Sequence, residues 1–205
     1  MLLHERGVFN VSNLLKPRLA IDMDEVLADA HRALVVFQRD TYGYELLDEE
    51  LDGRKIQSLI SAEHAKKMEE LLHRGDVFRD FEVIAGSQAA VLRLMDRFDV
   101  FVTTAAMEYP ASCAAKLAWL YQHFPFIPRL NIVLCGDKSI LAADLLVDDN
   151  QHHFERFGGQ GVLFSAPHNR RSTWPVRVEG WDDAVEYLEA WHAVWEKTQH
   201  GRIQS

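Results

Sequence analysis

Short apolar runs that end in polar or small residues recur along the chain, and five of them have the character of buried strands. These runs are Leu19–Ile21, Val100–Thr103, Asn131–Leu134, Leu145–Val147 and Gly161–Phe164. Segments with helical spacing separate several of them. Alternation of this kind predicts an α/β fold with a doubly wound parallel five-stranded sheet, whose functional site lies at the carboxyl ends of the strands.

Three helices are predicted in the second half of the chain. Ser87 is a candidate N-cap for the first, and Pro110 suits the first turn of the second. The third is an amphipathic helix near the C-terminus. The apolar faces expected for the three helices are Val91, Leu94, Met95 and Phe98; Cys113, Leu117, Leu120 and Tyr121; and Trp181, Val185, Leu188, Trp191 (or His192) and Trp195.

The stretch from 28 to 85 breaks the alternation, because it shows two helical patterns, Leu27–Phe37 and Ala62–His73, and no convincing strand. Ser61 is a candidate N-cap for the second pattern, and Gly75 follows its last turn. We interpret this stretch as a helical cap inserted after the first strand. Phe37 and Ile56 are assigned to its apolar core, and lining a pocket is the alternative for each of them. The predicted organisation is an arm at 1–17, a core at 18–27 and 86–205, and a cap at 28–85.

Composition and charge narrow the classes of partner. A formal net charge of −9 disfavours a nucleic acid polymer, which needs a basic surface to displace counterions. The sequence has no apolar run near 18 residues and a start unlike a signal peptide, so we expect no membrane partner. Two cysteines suit a reduced, cytoplasmic protein. The expected partner is a small molecule, and a homodimer is compatible with the sequence.

Two carboxylates follow directly after the first predicted strand, in the segment Ile21-Asp22-Met23-Asp24. Acids this close repel each other unless a cation lies between them, which points to Mg²⁺. A solvated acidic loop is the simpler alternative for this segment taken alone.

Three further signals follow later strands. Thr103 and Thr104 end the second strand, Lys138 follows the third, and Asp148 and Asp149 end the fourth. Each signal is weak alone, but the carboxyl ends of parallel strands share one rim. Together these residues supply carboxylates, hydroxyl and backbone N–H donors and a cation, which is the chemistry of phosphoryl transfer.

The order of these motifs resembles the haloacid dehalogenase superfamily of aspartate-nucleophile phosphatases. Longer stretches resemble its 5′(3′)-deoxyribonucleotidase family, in particular the bacterial members, over roughly residues 18–185. The stretches that carry this resemblance are DMDEVLAD, VFVTTAAMEYP, KLAW, FPFI, CGDKSI, LLVDDN and LFSAPHN. The family implies a haloacid dehalogenase-like Rossmannoid fold and a phosphomonoesterase that acts on nucleoside monophosphates with Mg²⁺.

The resemblance also implies roles for individual residues. Asp22 would be the nucleophile that forms an aspartyl-phosphate, and Asp24 the general acid and base. Thr104, the backbone of Ala105 and the Lys138 side chain would hold the transferring phosphoryl group.

For the metal, the resemblance implies ligation by Asp22, the backbone carbonyl of Asp24 and Asp148. Asp149 would lie in the metal shell or just outside it, where it would orient water or Lys138.

Some residues depart from the mammalian members of this family. Glu25 stands where they have glycine, Ala105 where they have serine, and Ala30 where an aromatic ring stacks on the base. His152 and His153, and later His168 and Asn169, follow strands that end near the rim. We interpret both pairs as loop residues with a structural role.

Other functions use similar residues. A receiver-type signalling domain has clustered Asp, Thr and Lys, but there the lysine comes last, whereas Lys138 precedes Asp148. The separation of 82 positions between Asp22 and Thr104 also leaves room for a cap, which a receiver lacks. The remaining alternatives are a phosphatase of another monoester, such as a sugar phosphate, and a relative that binds nucleotide without turnover.

Overall fold

The computed structural model describes residues 16–203, so of the predicted arm at 1–17 only Lys16 and Pro17 lie within the described residues. The strands are Arg18–Asp22 (β1), Ala28–Asp29 (β2), Glu82–Val83 (β3), Asp99–Thr104 (β4), Ile132–Leu134 (β5), Leu145–Asp148 (β6), Gln160–Phe164 (β7) and Arg177–Val178 (β8). The α-helices are Ala30–Tyr42 (α1), Asp48–Leu51 (α2), Ala62–Arg74 (α3), Ser87–Leu94 (α4), Cys113–His123 (α5) and Trp181–Ile203 (α6). None of these helices is both long enough and apolar enough to cross a membrane.

The main sheet is entirely parallel, with strand order β5-β4-β1-β6-β7-β8. This confirms the predicted α/β class, and each of the five predicted strands is present. The sheet has six strands rather than five, because Arg177–Val178 adds an edge strand beside β7. Two residues are too few to show an apolar pattern, so the sequence gives no signal for this strand.

The strand side chains alternate between two apolar layers. Leu19 and Ile21 of β1 belong to the large core cluster, which also contains Val91 of α4 and Leu188 of α6. Ala20 points to the opposite face and joins a smaller cluster. Because β1 is at the centre of the sheet, the residues at its carboxyl end are surrounded by neighbouring strands.

Two local predictions for the helices are wrong. Helix α4 begins one residue earlier than expected, with Gly86 in the left-handed region (φ 81°) as its N-cap and Ser87 inside its first turn. On α5 the buried side chains are Ala115, Lys116, Trp119 and Leu120, whereas the predicted face includes Tyr121, which is exposed. The buried face of α5 carries a lysine, which conceals it from an argument based on hydrophobic spacing.

The stretch from 28 to 85 contributes no strand to the main sheet. Its ends pair with each other as the antiparallel ribbon β2–β3. The first helix starts at Ala30 rather than Leu27, because the Asp29 side chain caps it by accepting from the backbone of Arg32. Helix α3 has the predicted cap at Ser61, which accepts from the backbone N–H of His64, and ends before Gly75. A separate apolar cluster lies within this stretch and comprises Leu46, Leu51, Ile56 and Met68, with Phe37 packed against it.

Side chains cover backbone groups near both edges of the main sheet. On one side, β5 pairs only with the last half of β4, and Asn131 Nδ2 donates to the carbonyl of Val100 at 2.8 Å. On the other side, β8 pairs only with the end of β7, and Trp174 Nε1 donates to the carbonyl of Gly161 at 3.1 Å.

Candidate active site

The carboxyl ends of four neighbouring strands bring the predicted residues together. Asp22 ends β1 and pairs with Thr103 in the sheet register, and Asp148 ends β6 on the other side of β1. Lys138 follows β5, and its side chain is buried and reaches Asp22. The order of the strands, rather than proximity in sequence, therefore assembles this site.

Three carboxylates form an acidic cluster at this rim. One oxygen each from Asp22, Asp148 and Asp149 lies within 4.8 Å of the other two. Asp22 is 5% exposed and Asp148 is fully buried. Such a set of oxygen donors suits Mg²⁺, which takes a few carboxylates and completes its octahedral shell with water or phosphate oxygens. The residues present therefore fit the metal that the sequence predicts.

The electrostatics of the cluster favour a bound cation. Burial, together with the charges of Asp148 and Asp24, raises the pKa of Asp22 to about 7 against the opposing charge of Lys138. Burial and the charges of Asp148 and Asp22 likewise hold the pKa of Asp149 well above its usual range. A divalent cation among these oxygens would lower both pKa values and keep the carboxylates ionised.

Lys138 is the cationic side chain inside this cluster. Its ammonium group contacts both Asp22 Oδ1 and Asp148 Oδ2. Burial alone would lower the pKa of this lysine, but the two carboxylates raise it overall, so it stays charged. Although burial acts in the opposite direction, Lys138 and His153 lower the pKa of Asp148.

Asp24 has a partner that the sequence analysis did not predict. Lys116, on α5 and 2% exposed, contacts Asp24 Oδ2 and donates to Thr104 Oγ1 at 2.9 Å. Its ammonium group also lies 4.5 Å from the centre of the Phe78 ring. Among the described residues, Asp24 Oδ1 has no hydrogen-bond partner. One oxygen of Asp24 is thus fixed by Lys116 while the other is available to a ligand.

The two threonines of β4 face different surroundings. Thr103 Oγ1 lies 3.4 Å from Cys135 Sγ, away from the carboxylates. Thr104 Oγ1 contacts Lys116, and the next residue, Ala105, lines the pocket described below. Of the two hydroxyl groups, that of Thr104 is therefore the one linked to Asp24 through Lys116, and its role in phosphate binding stays a prediction.

Glu25 holds the turn after the two motif acids in an unusual conformation. Its φ of 61° is in the left-handed region, which costs a residue with a side chain roughly 1–2 kcal/mol relative to glycine. Its carboxylate accepts from the backbone N–H of His31 in the first turn of α1, and burial and the charges of Asp29 and Asp24 hold its pKa well above the usual range. The side chain therefore ties the motif turn to the start of α1.

Two histidines contact the acidic cluster. His153 Nδ1 lies 2.9 Å from Asp148 Oδ2, and His168 Nε2 lies 3.3 Å from Asp149 Oδ2. Burial and the nearby Lys55 lower the pKa of His168 to about 4, which favours the neutral imidazole. Both histidines lie in short turns that follow β6 and β7, and their contacts with Asp148 and Asp149 place them at the rim.

A cavity of about 220 Å³ lies between the sheet rim and the helices of the 28–85 stretch. The side of the sheet rim contributes the acids, Ala105, Glu108 and the two histidines. The opposite side is formed by His31, Leu34, Lys55, Ile56 and Gln57. Ile56 therefore has both roles considered for it, since it belongs to the apolar cluster and also lines the cavity.

Lys116 had only an indirect signal in the sequence. It belongs to the segment Lys116-Leu-Ala-Trp119, one of the stretches that resemble the deoxyribonucleotidases. The apolar face predicted for α5 from helical spacing did not include it. The Nε1 of Trp119 donates to the carbonyl of Phe81 at 2.7 Å. The face of α5 that carries Lys116 and Trp119 is therefore the buried one.

Solved structures share this fold. A conserved haloacid dehalogenase-like protein of unknown function from Agrobacterium tumefaciens superposes with a TM-score of 0.54 at 16% identity, and the match covers 85% of this chain and 98% of that one. At this identity the likeness concerns the fold. The fold is therefore that of the haloacid dehalogenase-like proteins.

Sequence comparison narrows this class to a family. The family model for 5′ nucleotidase, deoxy (Pyrimidine), cytosolic type C protein matches residues 16–193. The 5′(3′)-deoxyribonucleotidases of Bacillus subtilis (strain 168) and of Bacillus phage SPbeta are each 39% identical over 179 residues, covering 85% of this chain and 99% of theirs. The chain belongs to the 5′(3′)-deoxyribonucleotidase family, as the motifs predicted. It is an enzyme of the phosphoric monoester hydrolase class.

Proposed function

We propose that this enzyme removes phosphate from deoxyribonucleoside and ribonucleoside monophosphates with Mg²⁺, through an aspartyl-phosphate at Asp22, and acts as a 5′(3′)-deoxyribonucleotidase. The observation that carries this proposal is the cluster of Asp22, Asp148 and Asp149 beside a buried lysine at the strand ends. The names of the family relatives support the nucleotide substrate.

In the first half-reaction, a carboxylate oxygen of Asp22 attacks the phosphorus. The bond from phosphorus to the sugar oxygen breaks, and Asp24 donates its proton to that leaving oxygen. In the second half-reaction, Asp24 takes a proton from a water molecule, which attacks the same phosphorus. The bond to Asp22 then breaks, and inorganic phosphate is released with both aspartates restored.

The remaining residues bind the phosphoryl group, position Asp24 or ligate the metal during these steps. Lys138 and the donors at Thr104 and Ala105 bind the phosphoryl oxygens, where negative charge is spread in the transition state. Lys116 fixes Asp24 Oδ2 and so holds the proton-transferring carboxylate toward the leaving oxygen. Asp22, Asp148 and Asp149 would hold Mg²⁺, with the carbonyl of Asp24 as a further ligand. When bound, this ion neutralises phosphoryl charge.

Substrate selectivity is determined by the residues on the side of the cavity opposite the acids. The phosphate end is the same for every monoester, so it supplies rate but little selectivity. His31, Leu34, Ile56 and Gln57 line this side of the cavity, where the sugar and base of a nucleotide would lie. A 2′-hydroxyl left buried and unpaired there costs about 1–3 kcal/mol, so we expect deoxyribonucleotides to be preferred.

A panel of phosphate-release assays tests this proposal. We expect Mg²⁺-dependent hydrolysis with higher kcat/KM for dUMP than for UMP, and for dTMP than for glucose 6-phosphate.

Asp22→Asn should lower kcat on the order of 10³-fold or more, because an amide is a poor nucleophile. Near wild-type activity of Asp22→Asn would refute the aspartyl-phosphate. Preference for glucose 6-phosphate would favour the alternative of a sugar phosphate phosphatase.

A further inference from the structure

The loop of residues 165–172, between β7 and β8, joins two parts of the molecule, and we call it the rim loop. The carbonyl of Pro167 accepts from the backbone N–H of Gly53, in the 28–85 stretch, at 2.8 Å. The next residue, His168, contacts the carboxylate of Asp149 at 3.3 Å. The residue after that, Asn169, donates from Nδ2 to the carbonyl of Asp149 at 2.7 Å. Three consecutive residues thus connect the cap to both ends of one acid in the cluster.

The rim loop is fixed to the sheet by a buried amide. Asn169 is 8% exposed, and its Nδ2 also donates to the carbonyl of Phe164 at 2.8 Å. Its Oδ1 accepts from the Ala166 backbone and from Arg177 Nη1, each at 3.1 Å. A polar group buried with all its partners present restricts the loop to one conformation. A displacement at Pro167 is therefore transmitted to His168 and Asn169 rather than absorbed.

The cap contacts this loop at Gly53, whose backbone conformation disfavours a residue with a side chain. Gly53 has φ 67°, and a Cβ there would lie 2.5 Å from Arg171 Cγ in the rim loop. Beside it, Asp52 Oδ2 pairs with Arg171 Nε at 3.2 Å. Lys55 and Gln57, a few residues further along, line the cavity. The segment 52–57 therefore contacts the rim loop at one end and the substrate cavity at the other.

We propose that Pro167, His168 and Asn169 are positioning residues that couple docking of segment 52–57 to the geometry of Asp149, so that a docked cap strengthens binding of a divalent cation by the acidic cluster. The inference rests on the proposed function, because it takes Mg²⁺ as the ion. Since such coupling is reciprocal, the ion also strengthens docking of the cap segment.

A pair of glycine substitutions tests whether docking of segment 52–57 strengthens Mg²⁺ binding. Gly53→Ala places a methyl group where the Arg171 side chain lies and strains a backbone with φ 67°, so we expect it to weaken docking of segment 52–57 on the rim loop. Gly43→Ala is the matched control: Gly43 also has a positive φ, of 66°, but among the residues that the structure describes none has an atom within 4 Å of the added Cβ. Measured by calorimetric titration with Mg²⁺, Gly53→Ala should raise Kd about 5-fold or more, as changes around a metal shell do, while Gly43→Ala keeps the wild-type value.

Hydrogen exchange of the wild-type enzyme tests, without a substitution, whether Mg²⁺ binding strengthens docking of segment 52–57. Saturating Mg²⁺ should slow exchange of the Gly53 amide several-fold, whereas amides of α3 should be unchanged. Equal Mg²⁺ affinity in Gly53→Ala and Gly43→Ala, or no change at the Gly53 amide, would overturn the coupling alone. Absence of Mg²⁺ binding by the wild-type enzyme would overturn the metal in the proposed function, and the coupling with it.

Discussion

At the scale of single residues, Lys116 is the group most worth testing. It comes from the middle of a helix, is almost fully buried, and contacts Asp24 and Thr104 at once. A buried ammonium group is costly unless carboxylates or hydroxyls pair with it, so its position depends on these two partners. Its contact with Asp24, the acid proposed to transfer the proton, indicates that Lys116 acts by holding Asp24.

We expect Lys116→Met to lower kcat about 100-fold, within the range that general acid–base groups contribute, with a much smaller effect on KM. Methionine keeps the apolar stem against Phe78 but removes the partner of Asp24 Oδ2. Lys67→Met, on the exposed surface of α3, is the control and should leave kcat unchanged. Steady-state kinetics on dUMP decide the matter. A kcat within threefold of wild type for Lys116→Met would show that Asp24 needs no such partner.

At the scale of elements, α4 and α6 are joined by an ion pair with favourable geometry. Glu189 on α6 accepts two hydrogen bonds from Arg93 on α4, at 2.8 and 2.7 Å, and Arg97 lies 3.5 Å away. The hydrogen bonds from Arg93 lower the pKa of Glu189 below its ordinary 4.5. A carboxylate with a lowered pKa stabilises the folded state above its unfolded pKa, and this contribution is lost as the pH falls through the folded pKa.

We therefore expect Glu189→Gln to lower the free energy of unfolding at pH 7, and the difference from wild type to shrink as the pH falls below about 4.5. Urea denaturation at several pH values measures this difference. Glu186→Gln, at an exposed position of the same helix, is the control and should differ little from wild type throughout. A deficit of Glu189→Gln that persists undiminished at pH 3 would exclude the ion pair as its cause.

Elements with strong periodicity were the ones predictable from sequence. The five strands of the main sheet and the caps of α3 at Ser61 and Gly75 follow from apolar runs and turn residues. Strand β8 could not be predicted, because two residues are too few to show a periodic pattern. The same distinction applies to the site. The residues predictable from sequence end or follow strands, namely Asp22, Thr104, Lys138 and Asp148. By contrast, Lys116 projects from a helix face and His168 from a loop. Contacts from helices and loops depend on packing between elements, which spacing along one element does not encode.

At the scale of the whole molecule, the 28–85 stretch and the rest of the chain share one core. Leu72, Phe78 and Phe81 belong to the same apolar cluster as Trp119 and Leu120. Burial of shared surface on this scale makes separate unfolding of either part costly.

We expect cap and sheet to unfold in a single transition. The five tryptophans all lie outside residues 28–85, so their fluorescence reports on the remainder of the chain, and pulsed hydrogen exchange of α3 reports on the cap. In a urea titration the two probes should give the same midpoint. Loss of α3 protection at a urea concentration where fluorescence is still native would show that the cap unfolds independently.

The covering of the sheet edges has a consequence for crowded solutions. An edge strand with free N–H and C=O groups is a template on which another chain can add a strand, which is a common start of aggregation. Here β5 and β8 have three and two residues, and the Asn131 and Trp174 side chains occupy carbonyls that these short strands leave uncovered. Strand addition at these two carbonyls would first have to displace the donors, and the edge strands beyond them offer another chain a template of only three and two residues.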